Sequence, residues 1–166
     1  MAIPIRRDHD QVITRPQLEV TAAPAPDAGS TRLAQIVLTG LRVIAGLMFM
    51  QHGMQKLFGM FVDPSRPPMP HPAVFSQFWF AGVLETFGGA LIVLGLLTRP
   101  VAFLLAGEMA VAYFQMHFPK NVFPILNGGE PAVLYCWIFL AFAALGGGPY
   151  SVDGLWRRRP ATATER

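Results

Sequence analysis

Four apolar blocks, each long enough to cross a bilayer, constrain the fold of this chain more than any motif does. They cover residues about 33–58, 75–98, 100–118 and 131–147, and polar or proline-rich segments separate them. A transmembrane helix needs roughly 17–25 mainly apolar residues. Only 14% of the residues are charged and 52% are hydrophobic, whereas soluble domains contain about 25% charged residues. The sequence therefore predicts an all-α fold, a membrane-embedded four-helix bundle.

The distribution of arginine and lysine predicts the orientation of this bundle. Four crossings place both termini on one side, and cytoplasmic segments carry an excess of Lys and Arg. One side would hold nine basic residues, Arg6, Arg7, Arg15, Arg32, Arg99, Arg157, Arg158, Arg159 and Arg166, and the other only Arg66 and Lys120. We therefore predict cytoplasmic termini, with a disordered tail over residues 1–31, a membrane domain over 32–156 and a basic tail over 157–166. The positive net charge then reflects topology, not binding to nucleic acid.

Besides His117 near the end of the third block, five acidic or basic side chains lie inside the apolar blocks: Arg42, His52, Lys56, Glu85 and Glu108. A lone charge at mid-bilayer costs at least ~2.5–3.5 kcal/mol on insertion scales, so acids and bases from different helices are expected to pair. Positions along the helices place Arg42 level with Glu108, which predicts a structural ion pair. They place Glu85 level with His52 and Lys56, which predicts a second charged layer nearer the outer surface.

Helical periodicity supports an inward orientation for these groups. Gly82 and Gly89 share a face with Glu85, and glycines let a neighbouring helix backbone approach closely. Gln115 shares the face of Glu108. The charged pairs could serve only to fix helix register, but intramembrane ionisable residues are also candidates for function. Both interpretations stay open from the sequence.

The sequence excludes several kinds of redox centre and gives little support to others. The single cysteine, Cys136, rules out an intrachain disulfide and a cysteine-ligated cluster. Haem ligation by His52 and His117 is disfavoured because His117 points away from the Glu108 face of an ideal helix. The sequence predicts no metal site, and its glycine runs lack the strand context of a dinucleotide fingerprint.

Four segments together resemble the DoxX family of small bacterial inner-membrane proteins. They are LRVIAGLMFMQHGMQKLFG (41–59), GVLETFGGALIVLGLLTRP (82–100), AGEMAVAYFQMHFPK (106–120) and GGGPYSVDG (146–154). The resemblance covers about residues 38–155. It implies a multi-pass protein of the inner (cytoplasmic) membrane with four helices, of a kind often described as an oxidoreductase or quinol-oxidase-related subunit. It also implies a soluble or membrane-bound redox partner.

Three functions are compatible with these observations. The first is a membrane subunit of an oxidoreductase that engages the quinone pool, with no covalent cofactor and no cofactor motif of its own. In it, Glu85, His52 and Lys56 are the candidate catalytic residues, and the same three with Gln115 would bind the quinone, since a quinone needs hydrogen-bond donors and a proton path. The second is a non-catalytic scaffold that recruits a soluble redox or stress-response enzyme.

The third is a transporter, and it has weaker support because inverted repeats and broken helices are not evident in the sequence. Catalysis by this chain alone, its partner and its oligomeric state do not follow from the sequence.

Overall fold

The computed structural model describes residues 28–65 and 71–157, and within these ranges the chain is helical and contains no strand. Six helices follow one another: α1 (Ala28–Phe58), α2 (Gln77–Leu94), α3 (residues 98–117), α4 (Pro124–Asn127), α5 (Glu130–Leu145) and α6 (Val152–Arg157). The four long ones, α1, α2, α3 and α5, fall on the four apolar blocks. An all-helical fold is thus confirmed for the described residues.

The ends of the helices differ from the predicted spans by a few residues. Helix α1 begins at Ala28, five residues before its predicted start, and α5 ends at Leu145, before the glycine run. The predicted tails, from residue 1 to 27 and from residue 158 to 166, lie outside the described residues.

Two of the helices are long and apolar enough to cross a membrane. They are α1, over Thr31–Phe58, and α2, over Gln77–Leu94, while α5 is a shorter apolar helix. Large apolar side chains cover the outer surface, including Ile44 at 59% exposure, Phe103 at 69% and Trp137 at 68%. A soluble domain rarely exposes so many large apolar groups in contiguous patches, so the helices are those of a membrane protein.

Helices α1 and α2 pack closely because glycines line their interface. A Cβ added at Gly46 would lie 2.9 Å from the carbonyl oxygen of Gly89, and one added at Gly53 would lie 2.7 Å from that of Gly82. Real Cβ atoms do not come this close to backbone, so only glycine permits this approach. The predicted packing role of Gly82 and Gly89 is confirmed.

Helices α3 and α5 form the second closely packed pair, and aromatic rings join it to the first. The ring of Phe49 on α1 lies 5.1 Å from that of Tyr135 and 4.8 Å from that of Phe139, both on α5. Leu105 of α3 and Phe142 of α5 are also fully buried. By contrast, α2 and α3 touch each other much less, and a cleft remains between them.

The turn between α2 and α3 holds one end of the molecule together. Gly95 is left-handed with φ 67°, and the N–H of Leu96 donates to the carbonyl of Leu91, which closes α2 in a Schellman motif. The carboxylate of Asp153, on α6, accepts from the N–H groups of Leu97 and Thr98, each at 2.8 Å. These bonds cap α3 and fix α6 against the turn.

Arg42 lies at this same end and does not pair with Glu108, so the predicted ion pair is wrong. Its Nη1 donates to the carbonyls of Ile92 at 2.5 Å and Val93 at 2.6 Å, and its Nη2 donates to that of Tyr150 at 2.9 Å. The carbonyls of the last helical turn lack intrahelical donors and carry partial negative charge, so they stabilise the guanidinium, and the acid that acts on it is Asp153. The Nε of Arg42 alone lacks a partner among the described residues. We call Arg42 and these three carbonyls the arginine clasp.

Candidate functional site

A lateral cleft between α2 and α3 brings most of the intramembrane polar groups together. Its volume is about 710 Å³, within the usual range for small-molecule sites. Its polar lining consists of Lys56, Gln77, Glu85, Glu108 and Gln115. The walls are apolar and include Phe78, Phe80, Phe103, Leu104 and Val111. These wall side chains are also exposed on the outer surface, so the cleft opens sideways, toward the region that lipid would occupy.

The floor of the cleft contains an ion pair between α1 and α2. Lys56 Nζ donates to Glu85 Oε1 at 2.5 Å, and the Glu85 side chain is almost entirely buried while that of Lys56 is 28% exposed. The predicted contact between these two residues is confirmed. Because the Lys56 stem comes from α1 and Glu85 from α2, the pair ties the cleft to the closely packed α1–α2 interface.

Glu108 contributes a second carboxylate to the same cleft. Both of its carboxylate oxygens, and Glu85 Oε2, are buried and have no hydrogen-bond partner among the described residues. The charged groups that act on Glu108 are Glu85 and Lys56, not Arg42. Buried polar atoms normally have partners, so three orphaned carboxylate oxygens beside one ammonium group mark this place as a candidate binding site.

Both helices that border the cleft depart locally from α-helical geometry. Leu84–Gly88 of α2 and Tyr113–His117 of α3 are π-helical turns. The first contains Glu85 and the second contains Gln115. A π-turn inserts an extra residue into a helix and rotates the side chains that follow, and such turns occur frequently at functional sites. Two of them facing one cleft are a feature that simple helical periodicity does not predict.

A hydrogen bond between two glutamines joins α2 and α3 at one end of the cleft. Gln77 Nε2 donates to Gln115 Oε1 at 2.5 Å, and both side chains are exposed. Gln77 is the first residue of α2, after Ser76, whose hydroxyl accepts from the N–H of Trp79 and caps the helix. The glutamine bridge therefore marks the end of the cleft nearest residues 71–76.

Lys56 also lines a second, smaller cavity on the loop side. This cavity has a volume of about 360 Å³ and includes Gln55, His71, Ser76 and Phe78. Lys56 and Phe78 belong to both cavities. Lys56 therefore lies at the boundary between the lateral cleft and this smaller cavity.

His52 and His117 were candidates from the sequence, but neither of them lines the cleft. His52 is exposed, and its ring lies edge-on to Tyr135 at 6.2 Å, although it still acts electrostatically on Glu85. His117 Nδ1 lies 3.1 Å from the carbonyl oxygen of Asn127 on α4. Within residues 28–65 and 71–157, no group of three His, Cys, Asp or Glu side chains is placed to hold a metal ion.

Sequence reasoning placed Lys56, Glu85 and Gln115 among the candidate site residues, but it assigned Glu108 to architecture and missed Gln77. The signal for Glu108 was present, because it shares a helical face with Gln115. Its depth, however, was compared only with that of Arg42. Gln77 could have been found as a polar residue at the start of α2, level with Gln115 near the end of α3.

Comparisons with known proteins show which family the chain belongs to. The DoxX family model matches residues 37–118, which contain Arg42, Lys56, Glu85, Glu108 and Gln115. An uncharacterized protein of Haemophilus influenzae (strain ATCC 51907 / DSM 11121 / KW20 / Rd) is 39% identical over 121 residues, which cover 70% of this chain and 87% of the relative. The chain belongs to the DoxX family. No solved structure matches it. The DoxX match spans α1, α2 and α3, which together supply the polar lining of the cleft, whereas α5 and α6 follow it.

Proposed function

We propose that this DoxX protein is a multi-pass protein of the bacterial inner membrane that engages the quinone pool as the membrane subunit of an oxidoreductase system. In this proposal α1, α2, α3 and α5 form a four-helix bundle, and both termini are cytoplasmic. The nine-to-two distribution of basic residues supports that orientation. The cytoplasmic end is then the end that holds the arginine clasp, and the glutamine bridge of Gln77 and Gln115 lies at the outer end of the cleft.

The observation that carries the proposal is the lateral cleft with orphaned carboxylate oxygens on its floor. A lipid-soluble ligand with a polar headgroup fits such a site, because its hydrocarbon part would contact the phenylalanine walls while the headgroup reaches the polar floor. The cleft opens to the side, so the ligand would come directly from the bilayer. A dinucleotide or a sugar dissolves in water and not in the bilayer, so an opening toward lipid does not favour its entry.

A quinone headgroup fits the residues present. Lys56 Nζ has N–H groups beyond the one it gives to Glu85, and the free oxygens of Glu85 and Glu108 can accept hydrogen bonds from hydroxyl groups. The quinone–quinol couple supplies the chemistry, the exchange of two electrons and two protons. Electrons would come from or go to a partner redox protein, because the chain has no cofactor motif of its own.

The protein's own residues would bind the headgroup and move protons. Glu108 and Glu85 are carboxyl groups in a water-poor cleft, where each can hold or release a proton beside the ligand. Lys56 lines both the cleft and the loop-side cavity. It can therefore relay a proton between Glu85 and the cavity that contains His71 and Ser76.

Direct binding measurements on the purified protein test this proposal. We would titrate lipid nanodiscs containing the full chain with short-chain ubiquinone and menaquinone analogues, using the wild type, Glu85→Gln and Glu108→Gln. The matched control is Glu130→Gln, an exposed acid at the start of α5 and outside the cleft. Loss of one charge-assisted hydrogen bond should weaken binding ~10-fold or more in the cleft variants, and the control should bind like the wild type.

The alternative outcomes are informative. If neither analogue binds the wild type, the cleft is not a quinone site, and a scaffold that recruits a redox enzyme becomes the better explanation. If binding occurs but neither cleft variant changes it, the ligand occupies another surface and the assignment of Glu85 and Glu108 is wrong.

A further inference from the structure

A second site lies at the clasp end of the molecule, where two arginines face a cavity of about 360 Å³. We call it the arginine cavity, and its lining includes Leu97, Arg99, Pro100, Asp153, Trp156 and Arg157. Arg99 comes from the first turn of α3, and Arg157 is the last described residue of α6. Two arginines therefore line the cavity from two helices, α3 and α6.

The frame of this cavity is held by backbone hydrogen bonds. Asp153 accepts from the N–H groups of Leu97 and Thr98, and its own N–H donates to the carbonyl of Gly95 at 3.0 Å. These three bonds fix α6 beside the start of α3. On the other side, Arg99 packs over the glycine run, since a Cβ added at Gly146 would lie 3.2 Å from Arg99 Nε.

The charge balance of the cavity favours an anion. Its lining contains two arginines and one acid, and both carboxylate oxygens of that acid, Asp153, already accept from backbone N–H groups. Asp153 also interacts electrostatically with Arg157 and with Arg42 of the clasp. Among the described residues, no hydrogen bond or ion pair engages the guanidinium of Arg99 or Arg157. Planar guanidinium groups match the oxygens of a phosphate in a bidentate manner.

The surroundings of the cavity favour a phosphate that carries hydrocarbon chains. Leu97 is 54% exposed and Trp156 is 53% exposed, and Trp side chains are enriched at the boundary between lipid and water. Pro100 lines both the arginine cavity and the lateral cleft. Beyond it, Phe103 and Leu104 extend the exposed apolar surface along α3. A chain attached to a phosphate in the cavity would thus meet apolar surface continuously.

We propose that the arginine cavity binds the phosphate of an anionic glycerophospholipid, with an acyl chain lying along Pro100 and Phe103. Basic pockets at the cytoplasmic ends of membrane helices bind anionic headgroups in this way. The site is distinct from the polar floor of the cleft and does not depend on the proposed quinone chemistry. Its occupant would cover the end of the cleft near Pro100.

Native mass spectrometry of the delipidated full chain tests this proposal. We would titrate it in detergent with phosphatidylglycerol and with phosphatidylcholine of the same acyl chains. We expect phosphatidylglycerol to bind more tightly, and Arg99→Gln/Arg157→Gln to weaken its binding ~10-fold or more because two charge-assisted contacts are lost. Arg99→Lys/Arg157→Lys keeps the two charges without the planar guanidinium groups. Its affinity for phosphatidylglycerol should lie between that of the wild type and that of the double glutamine variant.

Arg32→Gln is the matched control, because Arg32 is an exposed arginine of α1 outside the cavity. The proposal is overturned if Arg32→Gln weakens phosphatidylglycerol binding as much as the double glutamine variant does. The anionic lipid would then be attracted by surface arginines in general and not by this cavity. The proposal is also overturned if phosphatidylcholine binds equally well. If glycerol 3-phosphate binds as tightly as phosphatidylglycerol, the ligand is a soluble phosphate and the lipid assignment is wrong. Thermal melting of each variant shows whether it remains folded.

Discussion

The arginine clasp and the lateral cleft bury their central charged groups to the same degree but treat them in opposite ways. Arg42 and Glu85 are each only 2% exposed. Both terminal nitrogens of Arg42 bond to backbone carbonyls, whereas Glu85 keeps one oxygen, and Glu108 keeps two, without a partner. A charge held by backbone stabilises a fold, and orphaned oxygens leave capacity for a ligand. The difference separates an architectural site from a candidate functional site within one small protein.

The local geometry of the helices follows the same division. The clasp uses the regular end of α2, where a left-handed glycine closes the helix and leaves carbonyls for Arg42. The cleft uses the irregular parts of α2 and α3, where π-turns carry Glu85 and Gln115. A regular helix end closed by a glycine is common in proteins. A π-turn is rare and occurs frequently at functional sites. The geometry therefore supports the division drawn from the hydrogen bonds.

The strongest test of the comparison is to remove Arg42. Arg42→Ala removes three hydrogen bonds between one charged side chain and backbone carbonyls in buried or half-buried surroundings, so we expect the free energy of unfolding to fall by about 3 kcal/mol. Glu108→Gln should cost much less, because the Glu108 carboxylate has no partner to lose. Circular dichroism of chemical unfolding in detergent measures both variants.

The double variant Arg42→Ala/Glu108→Gln shows whether the two sites are separate. Residues without shared partners give additive effects within about 0.5 kcal/mol. A double variant that is clearly more stable than the sum of the singles would restore a direct Arg42–Glu108 interaction and contradict the structure described above.

The Lys56–Glu85 pair gives the next largest expected effect and sharpens the cleft side of the comparison. Lys56→Met leaves Glu85 in the cleft without its cation, and we expect the free energy of unfolding to fall by about 2 kcal/mol, less than for a fully buried pair because Lys56 is partly exposed. Lys56→Met/Glu85→Gln should recover part of this loss, since no unpaired charge remains. Equal stabilities of the single and double variants would contradict this expectation, because they would show that Lys56→Met leaves no costly unpaired charge on Glu85.

Much of the fold could be predicted from the sequence because lipid-spanning length and composition determine helix positions. The contact of Lys56 with Glu85, and the close approach at Gly82 and Gly89, followed from helical spacing and charge pairing. The partner of Arg42 could not be predicted in this way. Pairing rules consider side chains, and its partners are carbonyls exposed by a helix end and a distant loop. Depth along a helix also misplaced Glu108, which lines the same cleft as Glu85, whereas Arg42 bonds to carbonyls at the end of α2.

The smallest expected effect concerns Asp153, which supports the clasp end from outside the membrane-spanning helices. Burial raises the pKa of Asp153, but the hydrogen bonds from Thr98 and Leu97 and the charge of Arg157 lower it more, and the net pKa lies below the ordinary value. A depressed pKa in the folded state means that the carboxylate contributes stability above the unfolded pKa of about 4 and loses it as the pH falls through the folded value. Asp153→Ala should therefore lower the free energy of unfolding by about 1 kcal/mol at neutral pH, as for loss of a helix cap. The difference in unfolding free energy between Asp153→Ala and the wild type should narrow below pH ~4.

Asp153→Asn keeps one hydrogen-bond acceptor, so it should lose less stability than Asp153→Ala, and residue 153 itself should then add no pH dependence. Melting temperatures measured between neutral and acid pH decide the matter: a gap that stays constant or widens on acidification would mean that the Asp153 charge does not stabilise this end of the protein.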